Sequence, residues 1–233
     1  MMHIKEFTFN PFQTRCCIVW DEDGNCAFVD PGASTEEEKR QLIEFIEEMG
    51  LTPCCIMLTH AHFDHIYGMS AMAKEYEIPV YAHLGELSTL DTTNPAVCST
   101  YGLPLPETFP MIKSIGDASV NSRFYPIRKT DVIEVGSLSF KVIETPGHTI
   151  GGVCYLEETE KVLFSGDTLF AGAIGRTDHP GGDYDKLMKS ILENVITLDG
   201  SITVIPGHGP VTDIATESMT NPFLLPFNEP MND

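Results

Sequence analysis

The sequence predicts an α/β fold (α+β in some schemes), in which a sheet is covered by helices. Three observations carry that prediction. A short apolar run at 55–58 ends in Thr-His-Ala-His-Phe-Asp-His and hands over to a helical pattern. Strand and helix patterns alternate from residue 26 to residue 82. Between residues 131 and 205 the beat returns, and strands again end in a glycine followed by a histidine or aspartate.

In chain order, Ile4–Phe9 and Arg15–Trp20 read as strands. Asp21-Glu22-Asp23-Gly24-Asn25 is a turn signal, after which Cys26–Val29 closes a hairpin. Asp30 follows as either a turn residue or a support for the histidine-rich loop. Ser34 or Thr35 can cap a helix whose Leu42, Ile43, Phe45, Ile46 and Met49 recur at helical spacing, with Gly50 as its stop. The strand 55–58 precedes a helix running to about Glu77, and Pro79–Ala82 is the next strand.

Residues 83–126 are irregular, broken by prolines at 95, 104, 106 and 110, with Leu84–Leu90 as a short helix. This stretch is expected to cover one side of the site. Beyond it, 131–135 and 138–144 form a hairpin, and 152–156 and 161–165 are strands. Tyr184–Val195 is a helix with Leu187, Met188, Ile191 and Leu192 on one face, and 201–205 is the final strand.

Composition sets the class. The 233 residues, 42% hydrophobic and 21% charged, suit one α/β domain over 1–233. Fourteen basic against 34 acidic residues give a charge of −20, which argues against a nucleic-acid partner. No apolar run is long enough for a bilayer, so no membrane partner is expected. The start, MMHIKEFTFNPF, lacks a secretory pattern, and a cytoplasmic location is the expectation. An anionic small-molecule substrate stays compatible, because a metal or an arginine can reverse the field inside one cleft. The seven cysteines contain no CxxC spacing and read as buried free thiols. The neighbours Cys16-Cys17 and Cys54-Cys55 are expected on opposite strand faces.

Four metal-ligand side chains fall within six residues: His60, His62, Asp64 and His65. A strand that feeds ligands into a loop and then a helix holds such a site rigidly. His148, Asp167 and His208 stand after later strands, each reached through a glycine in PGH, SGD and PGH. Strand ends in a layered fold converge on one crevice. Seven ligands suit two divalent ions better than one. Imidazole and carboxylate donors suit zinc first, with iron or manganese as alternatives. One partition gives His60, His62 and His148 to one ion and Asp64, His65 and His208 to the other, with Asp167 bridging. Such a bridge lets two ions share a hydroxide. A structural zinc site closes with four ligands and has no need of seven.

These residues, THAHFDH at 59–65 with His148, Asp167 and His208, resemble the metallo-beta-lactamase superfamily. The resemblance implies a four-layer αββα sandwich and a dinuclear site, and its partition agrees with the one above. The stretch SGDTLFAGAIGRTDHPGGD at 165–183, with VIPGHGP at 204–210 and NPFL at 221–224, is similar to the glyoxalase II (hydroxyacylglutathione hydrolase) group. The resemblance therefore implies a thioester hydrolase with a glutathione thioester as substrate, and Asp64 as the catalytic residue that positions the hydroxide. Asp167 stands where the best-known zinc lactamases place a cysteine, which argues against lactam cleavage. Long glyoxalase II enzymes carry a C-terminal helical domain for glutathione. Only about 25 residues follow His208 here, so looser recognition of the thiol half is expected.

Arg176, in GRTD, is the candidate for holding an anionic substrate group, against the reading of a structural pair with Asp178. His179 reads as a surface histidine, and Tyr184 as a candidate to line the cleft. Two alternatives accompany the resemblance. One is a non-haem iron persulfide dioxygenase using His60, His148 and Asp167. The other is a lactone or phosphodiester hydrolase.

Overall fold

Side-chain alternation along the strands decides how this chain is layered. The structure is a computed structural model that describes residues 1–86, 95–103, 105–106, 124–129 and 131–225. Six strands form the first sheet in sequence order: β1 (His3–Phe9), β2 (Thr14–Trp20), β3 (Asn25–Val29), β4 (Thr52–Met57), β5 (Val80–His83) and β6 (Phe124–Ile127). The pairing is antiparallel from β1 to β3 and parallel from β3 to β6.

The second sheet contains β7 (Val132–Val135), β8 (Leu138–Glu144), β9 (Val153–Glu157), β10 (Val162–Gly166), β13 (Thr203–Pro206) and β14 (Thr212–Asp213). Its order is β14-β13-β10-β9-β8-β7, with only β10 and β13 parallel. Between β10 and β13 lies a small hairpin of β11 (Leu169–Phe170) and β12 (Ala173–Ile174).

Period-2 alternation splits each strand between two cores. On β2, Cys16 and Ile18 pack outward with Leu42 and Ile46 of helix α1 (Glu36–Met49), while Cys17 and Val19 face the other sheet. On β9, Val153 and Tyr155 face inward against Phe140 and Phe164. Cys154 and Leu156 face outward against Leu187 and Ile191. Each large apolar side chain buried in this way contributes roughly 1.5–3 kcal/mol. Helix, sheet, sheet, helix is the four-layer sandwich expected from the resemblance.

Helix α1 begins as predicted. Thr35 accepts from the Glu38 N–H, and the Glu38 carboxylate accepts in return from the Thr35 N–H. Gly50 ends it in the left-handed region at φ 64°. The helix at 63–77 differs from expectation. It is broken into α2 (Phe63–Ile66) and α3 (Met69–Glu75) around Gly68, whose N–H donates to the Pro31 carbonyl at 2.7 Å. A Cβ on Gly68 would come within 2.8 Å of that carbonyl, so the backbone approach requires glycine.

Within 83–126, helix α4 (Pro95–Thr100) and strand β6 are described, and β6 was not foreseen. Residues 87–90 of the expected helix at 84–90, and much of the stretch expected to cover the site, lie outside the described residues. Cys54 and Cys55 do not separate onto two faces. The β3–β4 register slips there, and both pack toward the inter-sheet core. The helix predicted at 184–195 is α5 (Tyr184–Ser190), which widens into a π-helical turn at Ile191–Val195. A further helix, α6 (Ile214–Thr220), follows β14 and was not foreseen. No helix among the described residues is long and apolar enough to cross a membrane.

The sheets are clasped at one end by Asp21, which is 1% exposed. Its carboxylate accepts from the N–H groups of Asp23 and Asn25 in its own hairpin and from the Ser137 N–H at 2.8 Å in the β7–β8 turn. Burial raises its pKa, but these donors outweigh burial and bring it down to about 2. A carboxylate whose folded-state pKa is depressed stabilises the fold above its unfolded value of about 4, and that contribution is lost as pH falls toward 2. Asp21→Asn should therefore lower the thermal midpoint at pH 7. The difference from wild type should shrink between pH 4 and pH 2, as followed by circular dichroism. A pH-independent difference would remove the carboxylate from the account.

Candidate metal centre

Four strands of the two sheets end at the same edge. β4 leads into Thr59-His60, β8 into Gly147-His148, β10 into Gly166-Asp167 and β13 into Gly207-His208. Backbone bonds lock these ends together: Val153 N–H to Thr59 O at 2.9 Å, Gly207 N–H to Gly166 O at 2.9 Å, and Arg15 N–H to Gly207 O at 2.7 Å. The Arg15 guanidinium also donates to the carbonyls of Pro206 and Gly209, on either side of His208. A side chain at Gly207 would collide with Asp167 Oδ1 and His65 Cε1, so only glycine lets this loop close over the aspartate.

The structure brings all seven sequence-predicted ligands together. One donor atom each from His60, His62 and His148 lies within 4.8 Å of the others, and the same holds for Asp64, His65 and His208. These are the same two sets of three residues that the sequence reading expected, brought close in space. Asp167 lies between them, with Oδ2 at 3.5 Å from His148 Nε2 and 3.6 Å from His208 Nε2, and Oδ1 at 3.5 Å from His65 Nε2. Asp30, His60 and His65 also converge.

Four of these imidazoles are held by an oxygen at Nδ1, which turns Nε2 toward the centre. The oxygens are Thr59 Oγ1 for His60 at 3.0 Å, Asp30 Oδ2 for His65 at 3.0 Å, the Arg176 carbonyl for His148 at 2.7 Å, and the Phe12 carbonyl for His208 at 3.0 Å. The Thr59 hydroxyl donates to Asp30 Oδ2 at 2.6 Å, so it accepts from His60 Nδ1–H and leaves a lone pair on His60 Nε2. Asp64 accepts from Thr14 Oγ1 at 2.7 Å, and its backbone carbonyl accepts from the Asn10 amide.

The centre fits a cation. Among the described residues, His60 Nε2 and Asp167 Oδ1 are buried without a hydrogen-bond partner. His62 Nδ1 faces His148 Nε2 at 2.9 Å, and His65 Nε2 faces His208 Nε2 at 3.3 Å. Opposed imidazole nitrogens and unmet carboxylate oxygens are what metal ions satisfy.

Burial, reinforced by neighbouring histidines, holds His60 well below the ordinary histidine pKa. It therefore stays neutral, as a ligand must. His65 is the opposite case. Burial lowers its pKa, but Asp64, Asp167 and Asp30 together raise it to about 10, the sign of a pocket that favours positive charge.

Asp30 is thus the support that the sequence left open. Glu86 was missed. It is fully buried, and its carboxylate accepts from Ala61 N–H at 2.7 Å, Thr149 Oγ1 at 2.6 Å and Gly151 N–H at 2.9 Å. It ties the His60–His62 loop to the loop after His148. The guanidinium of Arg176 pairs with Asp178 in solvent, and the residue meets the site through its carbonyl on His148. Tyr184 begins α5 with its ring about half exposed. His179, expected as a surface histidine, is half-buried against the rings of His62 and His148 at 4.8 and 4.9 Å.

Comparison with known proteins agrees in fold and sequence. Residues 9–208 match the family model of the metallo-beta-lactamase superfamily. A Haemophilus influenzae protein named hydroxyacylglutathione hydrolase GloC is 33% identical over 96% of this chain and 98% of its own length. The crystal structure of BLEG-1, described as a B3 metallo-beta-lactamase, has a TM-score of 0.81 and 35% identity, covering 95% of this chain and 99% of that one. A structure of TTHA1623 in a di-iron-bound form has a TM-score of 0.78 and 32% identity, covering 94% of this chain and 100% of that one.

Glu86→Ala should lower stability by about 2–4 kcal/mol, because it strands several buried donors at once. Chemical denaturation measures this directly. A loss below about 0.5 kcal/mol would mean that the two loops are held by other contacts.

Proposed function

Because the chain belongs to the metallo-beta-lactamase superfamily, we propose that it is a dinuclear hydrolase of thioesters, with hydroxyacyl-glutathione compounds as the substrate class. One observation carries the dinuclear reading: two three-ligand groups, His60/His62/His148 and Asp64/His65/His208, adjoin with Asp167 between them. The thioester reading is supported by the relative named a hydroxyacylglutathione hydrolase. Zinc is the first metal proposed, and the di-iron form of TTHA1623 keeps iron as its competitor. The unit of function is taken as one domain over 1–233, acting on a small molecule in the cytoplasm.

Two bound ions would polarise the carbonyl and lower the pKa of water into the neutral range. The chain's own residues do the rest. Asp64 is fixed through Thr14 Oγ1 and is kept ionised because His65 and His208 outweigh the opposing effect of burial. It is the group proposed to orient the nucleophilic water and hold its proton. Thr59, Asp30 and the Arg176 and Phe12 carbonyls keep four imidazoles aimed, so little reorganisation is needed during reaction. The leaving thiolate needs no strong acid. Arg176, exposed beside the His148 loop, is the proposed contact for an anionic substrate group.

The 35% identity to a protein described as a lactamase makes lactams the competing substrates. The test is a kinetic panel on zinc-loaded and iron-loaded protein: S-lactoylglutathione, a simpler thioester, a lactam, a homoserine lactone, a phosphodiester and glutathione persulfide. Thiol release from S-lactoylglutathione should exceed lactam opening by at least about 100-fold in kcat/KM, and Asp64→Asn should lose at least about 100-fold in turnover. Oxygen uptake with the persulfide and no thiol release from either thioester would place the chain among dioxygenases instead.

A further inference from the structure

Among the described residues, one imidazole in the centre lacks the support that the others have. His60, His65, His148 and His208 each have an oxygen on Nδ1. Ligand histidines need such a partner, because it fixes ring orientation and tautomer. His62 stands at the N-terminus of α2 without a side-chain cap. Among the described residues its ring nitrogens have one partner, His148 Nε2, on the metal side. Its ring is instead enclosed by other rings: His60 at 4.8 Å, His148 at 4.6 Å and His179 at 4.8 Å, all within 10° of perpendicular.

His179 is the one of the three outside the proposed ligand set, and its own position is rigid. His179-Pro180-Gly181-Gly182 is a turn closed by Gly182 N–H to His179 O at 2.9 Å. Proline at the second place and Gly181 at φ +89° in the third are the type II pattern. The next residue, Asp183, donates its N–H to the Gly147 carbonyl at 2.8 Å, which anchors the turn beside His148. Thus the turn presents the His179 ring edge-on to both His62 and His148, at 81° and 84°.

We propose that His179 is the positioning residue of the His60/His62/His148 half-site, holding the His62 ring by packing where, among the described residues, no oxygen holds it. The inference rests on the dinuclear reading above. It concerns the ring and not its nitrogens, since His179 Nε2 reaches only 3.4 Å from a His148 nitrogen that the Arg176 carbonyl already holds at 2.7 Å. A second aromatic ring of similar size should therefore serve.

The test is zinc binding to metal-stripped wild type, His179→Ala and His179→Phe, read by competition with a chromophoric chelator and checked by elemental analysis. Wild type should take two ions. In His179→Ala one of the two should bind about 10–100-fold more weakly, and the other should be unchanged. His179→Phe should restore both affinities to within about threefold of wild type. Unchanged affinities in His179→Ala would overturn the proposal, and so would a loss in His179→Phe as large as in His179→Ala. A wild type that binds a single ion would refute the dinuclear reading instead, and His179 would then be judged on that ion's affinity alone.

Discussion

The site depends on one carboxylate, that of Asp30. It is 2% exposed and accepts three hydrogen bonds: from the Thr59 N–H at 2.7 Å, from the Thr59 hydroxyl at 2.6 Å, and from His65 Nδ1 at 3.0 Å. Through Thr59 it sets the tautomer of His60, in one ligand group. Directly, it sets His65, in the other. A buried carboxylate is costly unless its lone pairs are met, and here the same bonds that stabilise it orient both halves of the centre. Asp30 has φ +49°, a strained value for a residue with a side chain, and the sheet supports that strain where the site needs it.

The layering makes this economical. Strands β4, β8, β10 and β13 bring their ends to one edge, so the candidate ligands that follow them need only short turns to meet. The inter-sheet core of Val19, Val29, Met57, Phe140, Tyr155 and Phe164 lies between the two sheets that contain these strands, and it fixes the distance between the loops they carry. Tyr155 adds a polar link, because its hydroxyl donates to the Leu58 carbonyl just before the histidine loop at 2.7 Å.

Much of this was legible in the sequence because the signals are local. Three histidines and an aspartate within six residues, and glycine before each later ligand, are patterns of neighbours. Strands that are short apolar runs, such as β2 and β9, were legible for the same reason. Missed features depend on partners far along the chain. The donors to Glu86 lie 25 to 65 residues away, and nothing near Glu86 marks it. His179 sits in a Pro-Gly turn whose sequence says nothing of the two rings it meets. Strand β6 escaped because Phe-Tyr-Pro-Ile contains a proline, which an edge strand tolerates and a central strand does not. The slip at Cys54 is a register event between two strands, invisible in either alone.

The central claim is that seven side chains form two adjoining half-sites joined by Asp167. Anomalous diffraction from crystals of the metal-loaded protein tests it most directly, because it locates each ion independently of any assay. The account predicts two peaks about 3.5–4 Å apart, one among His60, His62 and His148, the other among Asp64, His65 and His208, with Asp167 touching both. A single peak under saturating metal, or a second peak away from these residues, would contradict it.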